Sequence, residues 1–399
     1  MGIRRKIGSS SSKNPPILSH EFVIQNHADI VSCVAMVFVL GLMFQWSTSY
    51  ASLFVAIQHN ITEVFNDTDV PDVTTYTCGL SDVFTIFFYM LVCIIVHAVL
   101  QEYVLDKVNR RMHLSKVKHS KFNESGQLLF FYLVSVVWGA DIALREKFFL
   151  NPSSLWDGYP HTKMPFILKF FFIIQISYWL HILPELYFQK IKKEEIGARV
   201  RYSVLHVIFI TGAFATSLTR LALFCLVIHY LVEAIFHFAR LMYFSDKNEI
   251  SKPAFLAWAG MFVGARFLTV TIAVLMLWIK LGKAENQGFD RATGNFNSPL
   301  LRMNILGSVC FLQAWMMWNF ITFQLKRRRE NRALAAATTS GKKRETRKPK
   351  DKKAKKDESR KKREERDLDS EDDSHLPEAD QRIKSEQVGV RTRSRSKKH

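Results

Sequence analysis

Up to residue 325 the sequence is built of apolar runs of roughly 20 residues separated by short charged loops, and this pattern confines the chain to a membrane-spanning helical fold. A buried core helix needs only about 10 to 14 such residues, whereas these runs are long enough to cross hydrocarbon. Eight qualify: residues 30–50, 83–100, 128–144, 164–188, 203–218, 221–244, 254–279 and 299–325. Residues 203–244 cannot be one helix, because they would extend roughly 63 Å, about twice the hydrocarbon thickness; the chain must fold back near Thr219-Arg220. The expected fold class is all-α, a polytopic bundle of about eight transmembrane helices. A soluble globular enzyme is excluded.

Direction follows from the loops, since Lys and Arg are retained on the cytoplasmic side. The arm 1–29 carries Arg4, Arg5, Lys6 and Lys13, whereas the loop 59–82 has no Lys or Arg. The next loop holds Lys107, Arg110, Arg111, Lys116, Lys118 and Lys121, and the loop after the fourth run holds Lys190, Lys192, Lys193, Arg199 and Arg201. Both termini are therefore expected in the cytosol. Two glycosylation sequons, at Asn60 and Asn66, fall in the loop that charge places outside. A third, at Asn123, falls in a loop placed inside and should stay bare.

The segment 326–399 holds 27 of the chain's 55 Lys and Arg and 15 of its 36 Asp and Glu, with almost no apolar residues between Thr346 and Asp373. Such a composition buries too little surface to fold, so a disordered basic cytosolic tail is expected there. Its charge suits anionic lipid or, beside a ribosome, RNA phosphate. No aromatic residue is interleaved to stack on bases, so specific nucleic-acid recognition is not supported. Ser370, set among Asp367, Asp369, Glu371, Asp372 and Asp373, is a candidate phosphorylation site.

Ionisable side chains inside the spans are costly and mark function or interhelical contacts. The sixth run is densest, with His229, Glu233, His237 and Arg240 on one helix face at spacings of 4, 4 and 3. His206, Arg220 and Arg266 lie on the same or neighbouring runs, and by count Glu233 and Arg266 share a depth, so the two are expected to pair. Three chemistries compete for the stripe. A metal site lacks a second ligand cluster to complete it, and a catalytic acid/base set would need a lipid substrate. Interhelical hydrogen bonding, or the wall of a polar groove, needs neither. No metal, cofactor or nucleotide fingerprint is expected.

Longer literal strings add a resemblance. Ser19-His20-Glu21-Phe22-Val23-Ile24-Gln25-Asn26-His27, Arg110-Arg111-Met112-His113, Lys121-Phe122-Asn123-Glu124-Ser125-Gly126-Gln127, Pro184-Glu185-Leu186-Tyr187-Phe188-Gln189-Lys190 and Thr293-Gly294-Asn295-Phe296-Asn297 resemble the translocating chain-associating membrane protein (TRAM) family, over roughly residues 14 to 330. The resemblance implies a multi-pass endoplasmic-reticulum protein beside the Sec protein-conducting channel. There it would assist nascent signal or transmembrane segments, especially weak ones, delivered by the signal recognition particle. It also implies a TLC domain over about residues 117–326, the membrane fold shared with ceramide synthases. Those enzymes carry a His-His pair, a His-Asp pair and a further Asp. Here Leu205-His206 keeps one His, His229-Tyr230 replaces the Asp by Tyr, and Glu233 stands where the further Asp would be. Arg220, nine residues before His229, keeps the enzyme-like spacing. A non-enzymatic accessory is expected, with the polar residues His206, Arg220, His229, Glu233, His237 and Arg266 lining a groove. The alternatives are a TLC-type lipid N-acyltransferase and a lipid or sterol carrier.

Overall fold

Helices follow the apolar runs because a backbone in hydrocarbon must satisfy its own N–H and C=O groups. The computed structural model describes residues 19–63, 73–148, 151–191 and 193–344. Asn66 and Ser370 lie outside the described residues. In chain order the elements are α1 (His20–Gln25), α2 (His27–Gly41), α3 (Thr48–Val55), the antiparallel strands β1 (Asn60–Glu63) and β2 (Val73–Tyr76), α4 (Asp82–Leu100), α5 (Asp106–Met112), α6 (Lys116–Arg145), α7 (Phe166–Phe188), α8 (Lys193–Ala215), α9 (Thr219–Phe244), α10 (Asn248–Ala273) and α11 (Pro299–Arg344). π-helical turns at Gln101–Leu105 and Val274–Lys280 extend α4 and α10.

Among the described residues, six stretches are long and apolar enough to cross a bilayer: Asp82–Met112, Lys118–Arg145, Phe166–Phe188, Thr219–Phe244, Asn248–Lys280 and Pro299–Ala333. The two other expected runs take different forms. Residues 30–50 do not make one helix: the chain breaks between α2 and α3, where the Ser47 hydroxyl donates to the Gly41 carbonyl (2.7 Å) and the Thr48 hydroxyl to the Phe44 carbonyl (2.7 Å). Residues 203–218 are the end of α8, which starts three turns earlier with Lys193, Glu194, Glu195, Arg199 and Arg201. The expected boundary at 325/326 is not a break in secondary structure either. α11 runs on to Arg344, since Arg, Glu and Ala are strong helix formers even where nothing is buried.

The chain divides into two units. One takes in the chain to Ile191, Ser203–Leu256 and Ala292–Gly294; the other takes in Lys192–Tyr202, Ala257–Arg291 and the chain from Asn295. In the first, α7 is the interior helix: Phe171, Phe172, Ile173 and Trp179 are fully buried, as expected of a helix apolar all round. α4 lies beside it in the same direction, since Asp82 meets Lys169 and His97 meets His181. α6 runs antiparallel to α9, with Lys118 against Asp246 at one end. Gly139 permits their close approach, for a Cβ there would lie 2.5 Å from Val227 Cγ2. α2 runs antiparallel to α4, with Phe38 on Phe88, while α3 folds back against α2, bringing Ala51 beside Gly41 and Phe54 onto Phe38 (4.5 Å); Thr85 Oγ1 donates to the Ala56 carbonyl (3.1 Å).

The loops of this unit sort to two ends. At one, Tyr76 and Met164 exchange backbone hydrogen bonds (2.9 Å each), the Tyr159 hydroxyl donates to Thr216 O (3.0 Å) and the Ser217 hydroxyl to Gly294 O (3.2 Å). At the other, Lys118 pairs with Asp246 (3.0 Å) and His27 approaches Glu185 (3.7 Å). These are the two sets that charge separated. In the second unit Trp258 and Phe262 of α10 pack on Phe320 of α11, and Arg302 donates to Leu281 O (3.3 Å) and Asn297 Oδ1 (2.9 Å), fixing the intervening loop.

Candidate functional site

α8 and α9 bring part of the expected polar set together. His206 Nε2 and His229 Nε2 face each other at 3.4 Å, so one ring donates and the other accepts, and the rings are stacked at 5.6 Å. One turn along α9, Glu233 Oε1 lies 4.0 Å from His229 Nδ1. The Trp179 indole covers the other face of His206 at 3.8 Å, and its Nε1–H donates to the buried Tyr230 hydroxyl (3.0 Å). Glu233, His229 and His206 thus form a polar line, with one hydrogen bond between the two rings and the carboxylate 4.0 Å from His229. His229 and Glu233 are about 15% exposed, so the line is not sealed in the core.

The remaining candidates lie elsewhere. His237 is buried two turns beyond His229 and stacks on Tyr132 of α6. Arg220, nine residues before His229, sits about 13 Å away from it along the helix axis. Its guanidinium donates to Ser154 O (2.6 Å), approaches Glu146 (3.9 Å) and lies over the Phe148 ring, so it ties the start of α9 to the loop after α6. Arg266 belongs to the second unit, where it lies over the Phe262 ring (5.1 Å) and its Nη1 faces Met316 Sδ (3.2 Å). Asn60 is exposed on β1. Asn123 is buried instead, donating to Asp106 (2.9 Å) and accepting from Asn109.

Two further clusters form around Lys169 and His181, polar residues of the fourth apolar run whose partners the sequence does not reveal. Lys169, fully buried, forms a 2.7 Å ion pair with Asp82 and donates to the carbonyls of Gln58 and Thr77, both at 2.7 Å. Asp82 in turn accepts from Gly79 N (3.0 Å). At the opposite end, His97, His181, Glu185 and Gln189 meet where α1 and α2 lean on α7: His97 contacts His181 (3.3 Å) and Gln189 (2.8 Å), while His20 and His27 pack on Tyr187 and Phe188. The signal available was the spacing of His181, Glu185 and Gln189 at four residues on one helix face.

Residues 121–322 match the TLC domain family. Translocating chain-associated membrane protein 2 of Homo sapiens is 46% identical over 330 residues, 83% of this chain and 86% of that one, and the Mus musculus protein of that name matches equally. The chain belongs to the TRAM family. Ceramide synthase 4 of Homo sapiens is 24% identical over 159 residues, 39% of each chain. In this TRAM-family chain Tyr230, beside His229, is fully buried and accepts a hydrogen bond from Trp179.

Proposed function

We propose that this protein is a translocation accessory of the endoplasmic-reticulum membrane that assists nascent secretory and membrane chains at the Sec channel. The observation that carries the reading is the 46% identity to translocating chain-associated membrane protein 2 along 86% of that relative. The polar line of His206, His229 and Glu233 supports a groove serving weakly apolar signals. Such segments gain little from entering lipid, and a polar neighbour lowers the cost of their transfer. The chain crosses the membrane eight times with both termini cytosolic. Six crossings are the long helices, and the broken pair α2–α3 and the helix α8 supply the other two. Asn60 and Asn66 face the lumen as glycan acceptors. Ser370 is the phosphorylation candidate, and the basic tail lies near the ribosome.

The test is reconstitution. Proteoliposomes with the Sec channel alone should translocate chains with weak signals poorly, and adding this protein should rescue those while leaving strong signals unchanged. Equal stimulation of both would overturn the mechanism. A TLC-type N-acyltransferase is the second reading, favoured by the His206–His229–Glu233 line. It requires that purified protein join a long-chain base to an acyl-coenzyme A and that His229→Ala abolish the product.

A further inference from the structure

Past the long apolar run that ends at Leu325, α11 does not stop. Ile321 and Leu325 are exposed apolar side chains at the end of that run, and the same helix continues through Lys326, Arg327, Arg328, Arg329, Glu330, Asn331 and Arg332. Successive residues of an α-helix are about 100° apart, so Lys326 to Arg329 occupy one full turn and point to every side of the axis. All are exposed except Arg327, which is half-buried, and Arg332 adds a fifth cation against the single acid Glu330. From Lys326 to Arg332 the rise is about 9 Å, close to the headgroup layer of one leaflet, which is about 5 to 8 Å deep.

We propose that this turn is a collar that binds the phosphate headgroups of acidic phospholipids. The shape of the charge decides the partner. A protein surface or an RNA helix approaches from one side and would engage the cations of one face, leaving the others in water. A ring of cations at one depth, starting where the lipid-facing apolar surface ends, is matched by a layer of anions surrounding the helix. Arg and Lys stems reach along the helix to place their charges in that layer. The collar does not depend on what the polar line of α8 and α9 does, nor on the translocation reading.

The experiment uses the full-length protein in bilayers containing spin-labelled phosphatidylserine or spin-labelled phosphatidylcholine. The motionally restricted lipid fraction is read by electron paramagnetic resonance. The serine lipid should be enriched about five-fold or more over the choline lipid. The enrichment should fall at an ionic strength of about 1 M, where screening acts within about 3 Å. The variant K326Q/R327Q/R328Q/R329Q should bring the ratio close to one. R327K/R328K/R329K, which keeps every charge, should retain it and serves as the control for folding. Equal restriction of both lipids by the native protein, or enrichment that survives the four glutamines, overturns the proposal. So does lipid selectivity unchanged in the glutamine variant together with loss of binding to an RNA duplex, which would assign the turn to nucleic acid.

Discussion

His161 carries a pH dependence that can be worked out from its surroundings. It lies between α6 and α7, outside the membrane segments, 7% exposed. Its Nε2–H donates to the Asp157 carbonyl (2.9 Å), while the nearby Arg220 charge disfavours a second proton. Burial first, and then that guanidinium, push its pKa down from 6.5 to about 4 against the opposing pull of Asp157. Between those values the unfolded chain takes up a proton that the folded chain refuses. Stability is therefore complete above about pH 6.5 and falls as pH drops toward 4, by on the order of 3 kcal/mol. Thermal unfolding in detergent at pH 7 and pH 5 should show a lower midpoint at pH 5, and His161→Phe should reduce that difference. An equal difference in native protein and variant would mean that the imidazole is not the group responsible.

Among the elements, the buried pair of Lys169 and Asp82 joins α7 to α4 and, through the carbonyls of Gln58 and Thr77, to both flanks of the β1–β2 hairpin. Removing one partner leaves a buried ion alone, a loss of about 3 to 5 kcal/mol, whereas replacing both by apolar residues of similar volume is close to neutral. Lys169→Met and Asp82→Leu should each lower the protein's level in the membrane, and the double variant should recover much of it. If the double is as low as the worse single, the hairpin depends on the hydrogen bonds of Lys169 rather than on charge balance. Elements like these were only half legible in the sequence. Apolar runs revealed the long helices because their length is dictated by the bilayer. The break between α2 and α3 was hidden, since the hydroxyls of Ser47 and Thr48 satisfy freed carbonyls within an otherwise apolar stretch. The 3.6-residue period placed His229 and Glu233 on one face. It gave no register against α8 and α7, so the hydrogen bond from Trp179 to Tyr230 was not legible, nor was the contact of Arg220 with a loop. The helix through Lys326–Arg344 was masked by composition: high charge reads as disorder, although helix propensity there needs no burial.

For the molecule as a whole, the direction of insertion joins the two levels. In the first unit the helix pairs are parallel or antiparallel as an alternating path requires: α4 beside α7 in one sense, α6 against α9 in the other, and α2 returning along α4. Geometry sorts the loops into two ends, and the proposed orientation rests on charge: the end holding Lys107, Arg110, Arg111, Lys118 and Lys190 is the one that the retention of Lys and Arg assigns to the cytosol. The opposite end carries the hairpin with Asn60 exposed on β1, while Asn123, at the basic end, has its amide buried between Asp106 and Asn109. In the proposed orientation a glycan on Asn123 would require both the wrong side and a broken hydrogen-bond pair. In sealed microsomes, added protease should remove the C-terminal tail, and the surviving membrane fragment should shift in mass on glycosidase treatment. Asn60→Gln should abolish or halve that shift according to whether Asn66 is also used, and Asn123→Gln should leave it unchanged. A tail protected from protease, or a glycan lost with Asn123, would invert the molecule in the membrane and put the basic end in the lumen.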